Sequence, residues 1–156
     1  MARFPVPSLL LALLLGVAGC PKPPPQQLDW VDAPAAGAIA GLVQGELARA
    51  KGDRRTLLVY VGAGWCEPCE RFHRAAKEGK LDSTFAGLRL LAFDLDRDRE
   101  RLVAAGYVSE MIPLLAVPGA DGRGSGLQME GSIKGDGAVG EMEPRLKAML
   151  QRAETR

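Results

Sequence analysis

The sequence has 156 residues, a length that suits one folded domain, and 47% of them are hydrophobic, which is enough to build a core. The 20 basic and 19 acidic residues nearly cancel, so the chain lacks the positive field that a nucleic-acid partner requires. We therefore expect no nucleic-acid binding, and the informative features are local motifs.

Residues 1–19 have the pattern of a signal peptide that is separate from the fold. Arg3 gives a short positive start, and Leu9 to Ala18 form an apolar run well short of the ~20 residues needed to span a bilayer. The run ends in Val17-Ala18-Gly19-Cys20, which resembles the bacterial lipobox, whose cysteine is lipidated and becomes the mature N-terminus. The alternative is an ordinary secretory signal followed by an unrelated cysteine. We predict a lipid anchor on Cys20.

Residues 20–28 are predicted to be a linker between this anchor and a domain over residues 29–156. The stretch from Pro21 to Gln27 is proline-rich. Such segments favour extended polyproline II and lack the N–H donors that a packed element needs. The linker should therefore hold the domain away from the membrane.

The first element predicted in the domain is a helix that starts near Asp32 and Pro34 and ends at Gly52-Asp53. Its apolar residues recur at helical spacing. They are Ile39, Leu42, Val43, Leu47 and Ala50. No residue type in this stretch indicates chemistry, so the helix should cover a sheet.

A strand followed at once by a helix carries two cysteines. Thr56 to Ala63 is an apolar run typical of a central strand covered on both faces. The helix is predicted from Cys66 to Lys77, so the motif Trp65-Cys66-Glu67-Pro68-Cys69 lies at its N-terminus. Free N–H groups and the positive end of the helix dipole favour the thiolate there, and the thiolate is the nucleophile. A C-x-x-C in this context is typical of a redox site.

The only histidine, His73, leaves a second class of function open. It follows Cys69 by four residues and Cys66 by seven, so all three could share a helix face and carry copper or zinc. A solvated histidine is the simpler interpretation, and we predict no metal site. Covalent haem attachment is excluded, because it needs C-x-x-C-H and residue 70 is Glu.

The second half of the chain continues the alternation of strands and helices. Leu88 to Phe93 predicts a strand, and the charged stretch after it predicts a solvated helix. The inner face of that helix is expected to contain Leu102, Val103 and Tyr107. Leu114 to Val117 and Gly126 to Met129 flank a glycine-rich turn and predict an antiparallel hairpin. A last helix follows, with Asp136 as its N-cap. Its inward residues are expected to be Val139, Met142, Leu146 and Leu150.

These features resemble the thioredoxin superfamily over roughly Trp30 to Gln151. In that superfamily a W-C-x-P-C motif faces a cis-proline just before a strand, and Ile112-Pro113 stands in that position here. The chain looks most similar to bacterial periplasmic thioredoxin-like proteins, including the reductase domain of the DsbD type. The resemblance implies an α/β fold, with a central mixed sheet flanked by helices on both faces.

The resemblance also implies disulfide exchange. Cys66 would attack a partner disulfide, and Cys69 would then attack Cys66 and release the reduced partner. Trp65 would shield the sulfurs and contact partners, Pro68 would shape the first helical turn, and Ile112 with Pro113 would form the docking edge. The expected partners are protein disulfides and an unknown upstream electron donor. We expect no cofactor, a monomer, and a location in the bacterial envelope with the domain facing the periplasm.

Two residues affect how this chemistry would proceed. In thioredoxin a buried Asp lies five residues before the motif Trp, and Tyr60 stands there instead, which removes a carboxylate that could accept the proton of Cys69. Glu67 places a negative charge next to Cys66, which opposes a thiolate and predicts a reductant. A third class of function also stays open, a binding module on a thioredoxin scaffold whose dithiol is vestigial.

Overall fold

A computed structural model describes Met1 and residues 27–155 of the protein. The predicted signal peptide, the lipidation site at Cys20 and nearly all of the linker lie outside the described residues. Five strands and five helices follow one another along the described chain. In order they are β1 Asp29–Asp32, α1 Ile39–Gly52, β2 Thr56–Gly62, α2 Glu67–Lys77, α3 Asp82–Phe85, β3 Leu88–Asp94, α4 Leu95–Ala104, β4 Leu114–Pro118, β5 Gly124–Glu130 and α5 Ala138–Glu154.

The five strands form one mixed sheet in the order β1-β3-β2-β4-β5. Both β1 and β2 pair with β3 in parallel, whereas β4 runs antiparallel to β2, and β5 antiparallel to β4. The predicted hairpin is therefore confirmed. The parallel half followed by an antiparallel hairpin is the thioredoxin fold, as the sequence predicted.

The central strand β2 divides the core into two layers. Successive side chains of a strand point to opposite faces, so Leu58 and Tyr60 lie on one face and Val59 and Val61 on the other. Helices α2 and α5 cover the first layer through residues such as Phe72, whereas α1 and α4 cover the second. Coverage on both faces explains why β2 is an uninterrupted apolar run.

The edge strand β1 was not predicted, and the predicted start of the first helix was wrong. Asp32 ends β1, and α1 begins only at Ile39, with Ala38 at its N-cap. Strand β1 exists through long-range pairing, in which Trp30 is the register partner of Leu90 in β3. A four-residue segment gives too weak a local pattern to indicate this pairing.

Three further details differ from the sequence predictions. Val103 lies on the solvent side of α4 and is 56% exposed. Tyr107 is buried but lies beyond the end of α4, where its hydroxyl donates a 2.9 Å hydrogen bond to the carbonyl of Gly122. Asp136 is not the cap of α5, because Gly137 occupies that position and the Asp136 carboxylate instead pairs with Arg71.

Charged side chains also reach into the core, which hydrophobic patterning did not indicate. Arg89 on β3 lies 2.9 Å from the buried Glu46 of α1. Asp98 on α4 is fully buried; it accepts a hydrogen bond from the backbone N–H of Asp94 and pairs with Arg97 at 2.8 Å. Within residues 27–155, no helix is both long enough and apolar enough to cross a lipid bilayer.

Candidate active site

The two motif cysteines lie at the junction between the end of β2 and the start of α2. The strand ends at Gly62, and the backbone N–H of Cys66 closes a tight turn onto the carbonyl of Ala63 at 3.0 Å. Cys66 occupies the N-cap of α2, so the helix begins at Glu67, one residue after the predicted start, and Pro68 lies in the first turn. Cys66 and Cys69 form a disulfide, with their Cα atoms 5.2 Å apart.

A backbone N–H in the first turn of α2 donates a hydrogen bond to the sulfur of Cys66. The N–H of Cys69 donates to Sγ of Cys66 across 3.3 Å, as an N-cap side chain accepts from the third residue of a helix. In the reduced protein the same N–H and the helix dipole favour a thiolate at Cys66. Of the two cysteines, Cys66 is therefore the one placed to act as a nucleophile.

The loop before β4 brings a second piece of backbone to this sulfur. The Ile112-Pro113 peptide bond is cis, which confirms that prediction. The carbonyl oxygen of Ile112 lies 3.7 Å from Sγ of Cys66, and the carbonyl of Pro113 accepts a 2.9 Å hydrogen bond from the N–H of Gly131. The loop is thus held against the disulfide by its neighbour in the hairpin.

An open groove of about 480 Å³ lies over Cys66. Trp65 and Met111 line it with large apolar side chains that are 67% and 59% exposed. The indole N–H of Trp65 donates to a carboxylate oxygen of Asp96 at 2.8 Å, which fixes the ring at the rim. Cys66, Pro68 and Ile112 complete this side of the groove. A partner chain that reached Cys66 here would meet these apolar side chains together with charged ones such as Arg99 and Lys134.

The carboxylate of Glu67 is an ion-pair partner as well as a neighbour of Cys66. It accepts a 2.9 Å hydrogen bond from Arg71, one turn along α2, and a 3.2 Å bond from the backbone N–H of Gly135. These contacts, led by the hydrogen bond from Arg71, lower the pKa of Glu67. Glu67 is therefore ionised at neutral pH, but Arg71 partly compensates its charge.

Tyr60 occupies the position where the sequence comparison expected a buried acid. Its ring is buried between Trp30, at a centroid distance of 4.7 Å, and Phe72, at 5.9 Å. Its hydroxyl donates a hydrogen bond to the carbonyl of Cys69 at 3.3 Å. Burial raises the pKa of Tyr60, so the phenol stays protonated and cannot serve as a base near neutral pH.

His73 also packs against the Trp30 ring, with the two ring centroids 4.5 Å apart. Burial, aided by the charge of Lys77, lowers the pKa of His73, whereas Asp32 opposes that shift. Nowhere in residues 27–155 do three or more histidine, cysteine or acidic side chains gather in a group that could hold a metal ion. The imagined set of Cys66, Cys69 and His73 is thus not assembled.

Sequence reasoning missed two side chains of the site. Trp30 carried no signal, because its contacts with Tyr60 and His73 depend on the unpredicted strand β1. Arg71 did carry one, since Glu67 and a basic residue four positions later form a common helical ion pair.

Comparisons with known proteins show a distant likeness among solved structures. No family model matches the sequence, and no curated protein matches it. Among solved structures, a mutant thioredoxin from Halobacterium salinarum NRC-1 is similar over 79% of this chain and 93% of that chain, with 18% sequence identity and a TM-score of 0.43. Identity at this level carries no information on activity.

Proposed function

We propose that the protein is a thiol–disulfide oxidoreductase that reduces disulfides of partner proteins through Cys66 and Cys69. One observation carries the proposal: a closed disulfide at a helix N-terminus, whose first sulfur accepts the N–H of Cys69 and lies beside the Ile112 carbonyl. A purely structural disulfide needs neither a backbone donor aimed at one sulfur nor an open groove over it.

The exchange proceeds in two steps that balance atoms and electrons. The Cys66 thiolate attacks one sulfur of the partner disulfide, a mixed disulfide forms, and the partner's other sulfur leaves as a thiolate that takes a proton from solvent. Cys69 then loses its proton and attacks Sγ of Cys66. The Cys66–Cys69 bond forms, and the partner departs with both of its sulfurs reduced. An upstream dithiol donor then reduces the Cys66–Cys69 disulfide and becomes a disulfide itself, which restores the reduced protein, and no cofactor takes part.

The partner is proposed to dock as an extended segment along Ile112 and Pro113. The carbonyl of Ile112 sits beside the reacting sulfur, and a strand added at this edge would place its own disulfide over Cys66. Trp65, exposed at the rim of the groove, would bury apolar area against the partner. These contacts orient a partner disulfide without demanding a particular sequence.

The direction of transfer and the location complete the proposal. The ionised Glu67 disfavours a second negative charge on Cys66, which destabilises the reduced state and makes the dithiol a reductant. The Val17-Ala18-Gly19-Cys20 stretch supports lipidation at Cys20 and a place in the bacterial envelope, with the domain in the periplasm. The proline-rich residues that follow support a spacer between membrane and domain.

An insulin-reduction assay with a dithiol donor tests this function. The wild type should accelerate precipitation of the insulin B chain, and Cys66→Ser should remove that activity. Cys69→Ser should accumulate mixed disulfides with its partners, because the second step is blocked. A wild type that leaves insulin intact, together with a Cys69→Ser variant that traps no partner, would contradict the proposal.

A further inference from the structure

We propose that the proton of Cys69 leaves through a cavity separate from the partner groove and that His73 accepts it. This proposal rests on the proposed function, because Cys69 has to lose its proton only when it attacks Cys66 during disulfide exchange. It assigns a role to the one histidine of the chain and to a cavity that the exchange itself does not use.

The exchange requires a proton acceptor for Cys69, and Tyr60 stands at the position where a buried carboxylate was expected. Cys69 is 3% exposed, and its sulfur attacks only as a thiolate. The N–H donor that stabilises a thiolate points at Cys66 instead. The hydroxyl of Tyr60 lies 3.3 Å from the carbonyl oxygen of Cys69, but it acts as a hydrogen-bond donor there. Another group must therefore take the proton.

The cavity reaches Cys69 from a different direction than the partner does. It has a volume of about 340 Å³ and shares no lining residue with the groove over Cys66. Its walls combine aromatic rings with a set of ionisable side chains. That set is Asp32, Glu70, His73, Asp94 and Arg97. A space of this size and polarity has room for ordered water, which can carry a proton over a short chain of hydrogen bonds.

Position favours His73 within that set. It lies four residues after Cys69 on α2, so the two side chains share a helix face with Cβ atoms about 6 Å apart. Both line the same cavity. Stacking against Trp30 holds the imidazole in place at 4.5 Å between ring centroids.

Acid strength and hydrogen bonding favour His73 as well. Carboxylic acids as a class are stronger than thiols by about four pKa units, whereas an imidazolium is stronger by only about two, so imidazole is the better base for a thiol. Asp32 already accepts a hydrogen bond from the indole of Trp30, and Asp94 accepts one from the backbone N–H of Arg97. Partial desolvation and the charge of Lys77 lower the pKa of His73, which favours the neutral imidazole that a base must present, although the charge of Asp32 opposes this shift.

The proposed step balances. The Cys69 S–H proton passes through water to the His73 imidazole, and the Cys69 electron pair forms the bond to Sγ of Cys66. The bond between Cys66 and the partner breaks, and the partner sulfur leaves as a thiolate. The imidazolium then releases its proton to solvent through the open side of the cavity.

Rapid mixing of the full-length reduced protein, held in detergent, with glutathione disulfide separates the two steps. Formation of the glutathione adduct on Cys66 depends on glutathione disulfide concentration, whereas its resolution by Cys69 does not, and acid quenching with mass spectrometry counts both species. We expect His73→Gln to slow resolution at least about tenfold at pH 7. The difference should shrink as the pH rises, because hydroxide can then take the thiol proton without the imidazole. Arg74→Gln, on the same helix but outside this cavity, is the matched control and should leave both steps unchanged.

A second variant tests the identity of the base. Lys77→Gln removes a charge that lowers the pKa of His73, so the acidic limb of the resolution profile should move to higher pH. A His73→Gln profile equal to the wild type, or slowed equally at every pH, would overturn the inference while leaving the proposed function intact. A wild type that forms no glutathione adduct would overturn the proposed function and this inference with it.

Discussion

Glu67 and Arg71 form an ion pair of 2.9 Å in the first two turns of α2, and Glu67 directly follows Cys66 in the chain. The sequence suggested that Glu67 acts on Cys66 as a lone negative charge. The structure instead gives that charge a partner, and Arg71 in turn pairs with Asp136 at 2.6 Å. Removing either charge should therefore change how strongly Glu67 disfavours a thiolate at Cys66.

Removing Arg71 should make the protein a stronger reductant. In Arg71→Met the charge of Glu67 is uncompensated, the Cys66 thiolate is less stable, and the reduction potential should fall by ~10 mV, since exposed pairs are weak. Glu67→Gln should raise it by a similar amount. A glutathione redox titration measures both, and Arg74→Met on the same helix is the control. Shifts of the same sign in the two variants would contradict this account.

The two tyrosines predict how stability depends on pH at the alkaline end. Burial raises the pKa of Tyr60 and of Tyr107, so both phenols stay neutral in the folded protein where the unfolded chain begins to ionise, at pH ~10. The free energy of unfolding should thus be insensitive to these groups below pH ~10 and fall above it. Tyr60→Phe should make the decline shallower, by at most about 1.4 kcal/mol per pH unit.

Absorbance at the tyrosinate band checks this directly, because the chain contains only two tyrosines. The folded protein should show no tyrosinate signal at pH ~10, and the signal should appear together with unfolding. Titration of either phenol at its ordinary pKa in the native state would contradict the burial argument.

The buried pair of Glu46 and Arg89 should contribute more to the free energy of unfolding than the exposed pair of Glu46 and Arg49. Arg89→Met leaves the buried Glu46 without its 2.9 Å partner and should lower the free energy of unfolding by about 3 kcal/mol. Arg49, whose side chain is 70% exposed, also contacts Glu46, and Arg49→Met should lower it by less than about 1 kcal/mol. Chemical denaturation compares the two variants. Equal losses would contradict the assignment of Arg89 as the core partner.

Lipidation at Cys20 is a prediction from the sequence alone. A Cys20→Ser variant expressed in a bacterial host should lose acylation and leave the membrane fraction, whereas Cys69→Ser should stay in it. Detergent partitioning and the mass of the mature N-terminus are the measurements. Unchanged partitioning of Cys20→Ser would exclude the anchor.

The central part of the fold was predictable because its signals are local. The apolar run of β2 and the cap, proline and spacing at the start of α2 lie within about fifteen consecutive residues, and each agrees with the others. The cis bond at Pro113 followed from the family resemblance and was confirmed. Such features need no knowledge of distant contacts.

Features that depend on distant contacts were missed. Strand β1 is stabilised by its pairing with β3, about 60 positions away in the chain. Without β1 there is no Trp30 ring beside Tyr60 and His73, so the contact between that ring and the exposed histidine could not be predicted. Asp136 looked like a helix cap because its type and position fit one, but its pairing with Arg71 could not be seen from local sequence.

Strand β1 also determines where the chain enters the sheet relative to the disulfide. It runs parallel to β3, as β2 does, so the amino ends of these three strands lie at one pole of the sheet, and β2 delivers the disulfide at the other. Asp29 in β1 and Leu57 in β2 are both register partners of Arg89 in β3, so they lie at the same height in the sheet. The first residue of β1 is therefore about 17 Å, measured along the strands, from the last residue of β2. Anything that tethers the protein through the residues before β1 therefore holds it by its base. The disulfide lies at the opposite end of the sheet, away from that point of attachment.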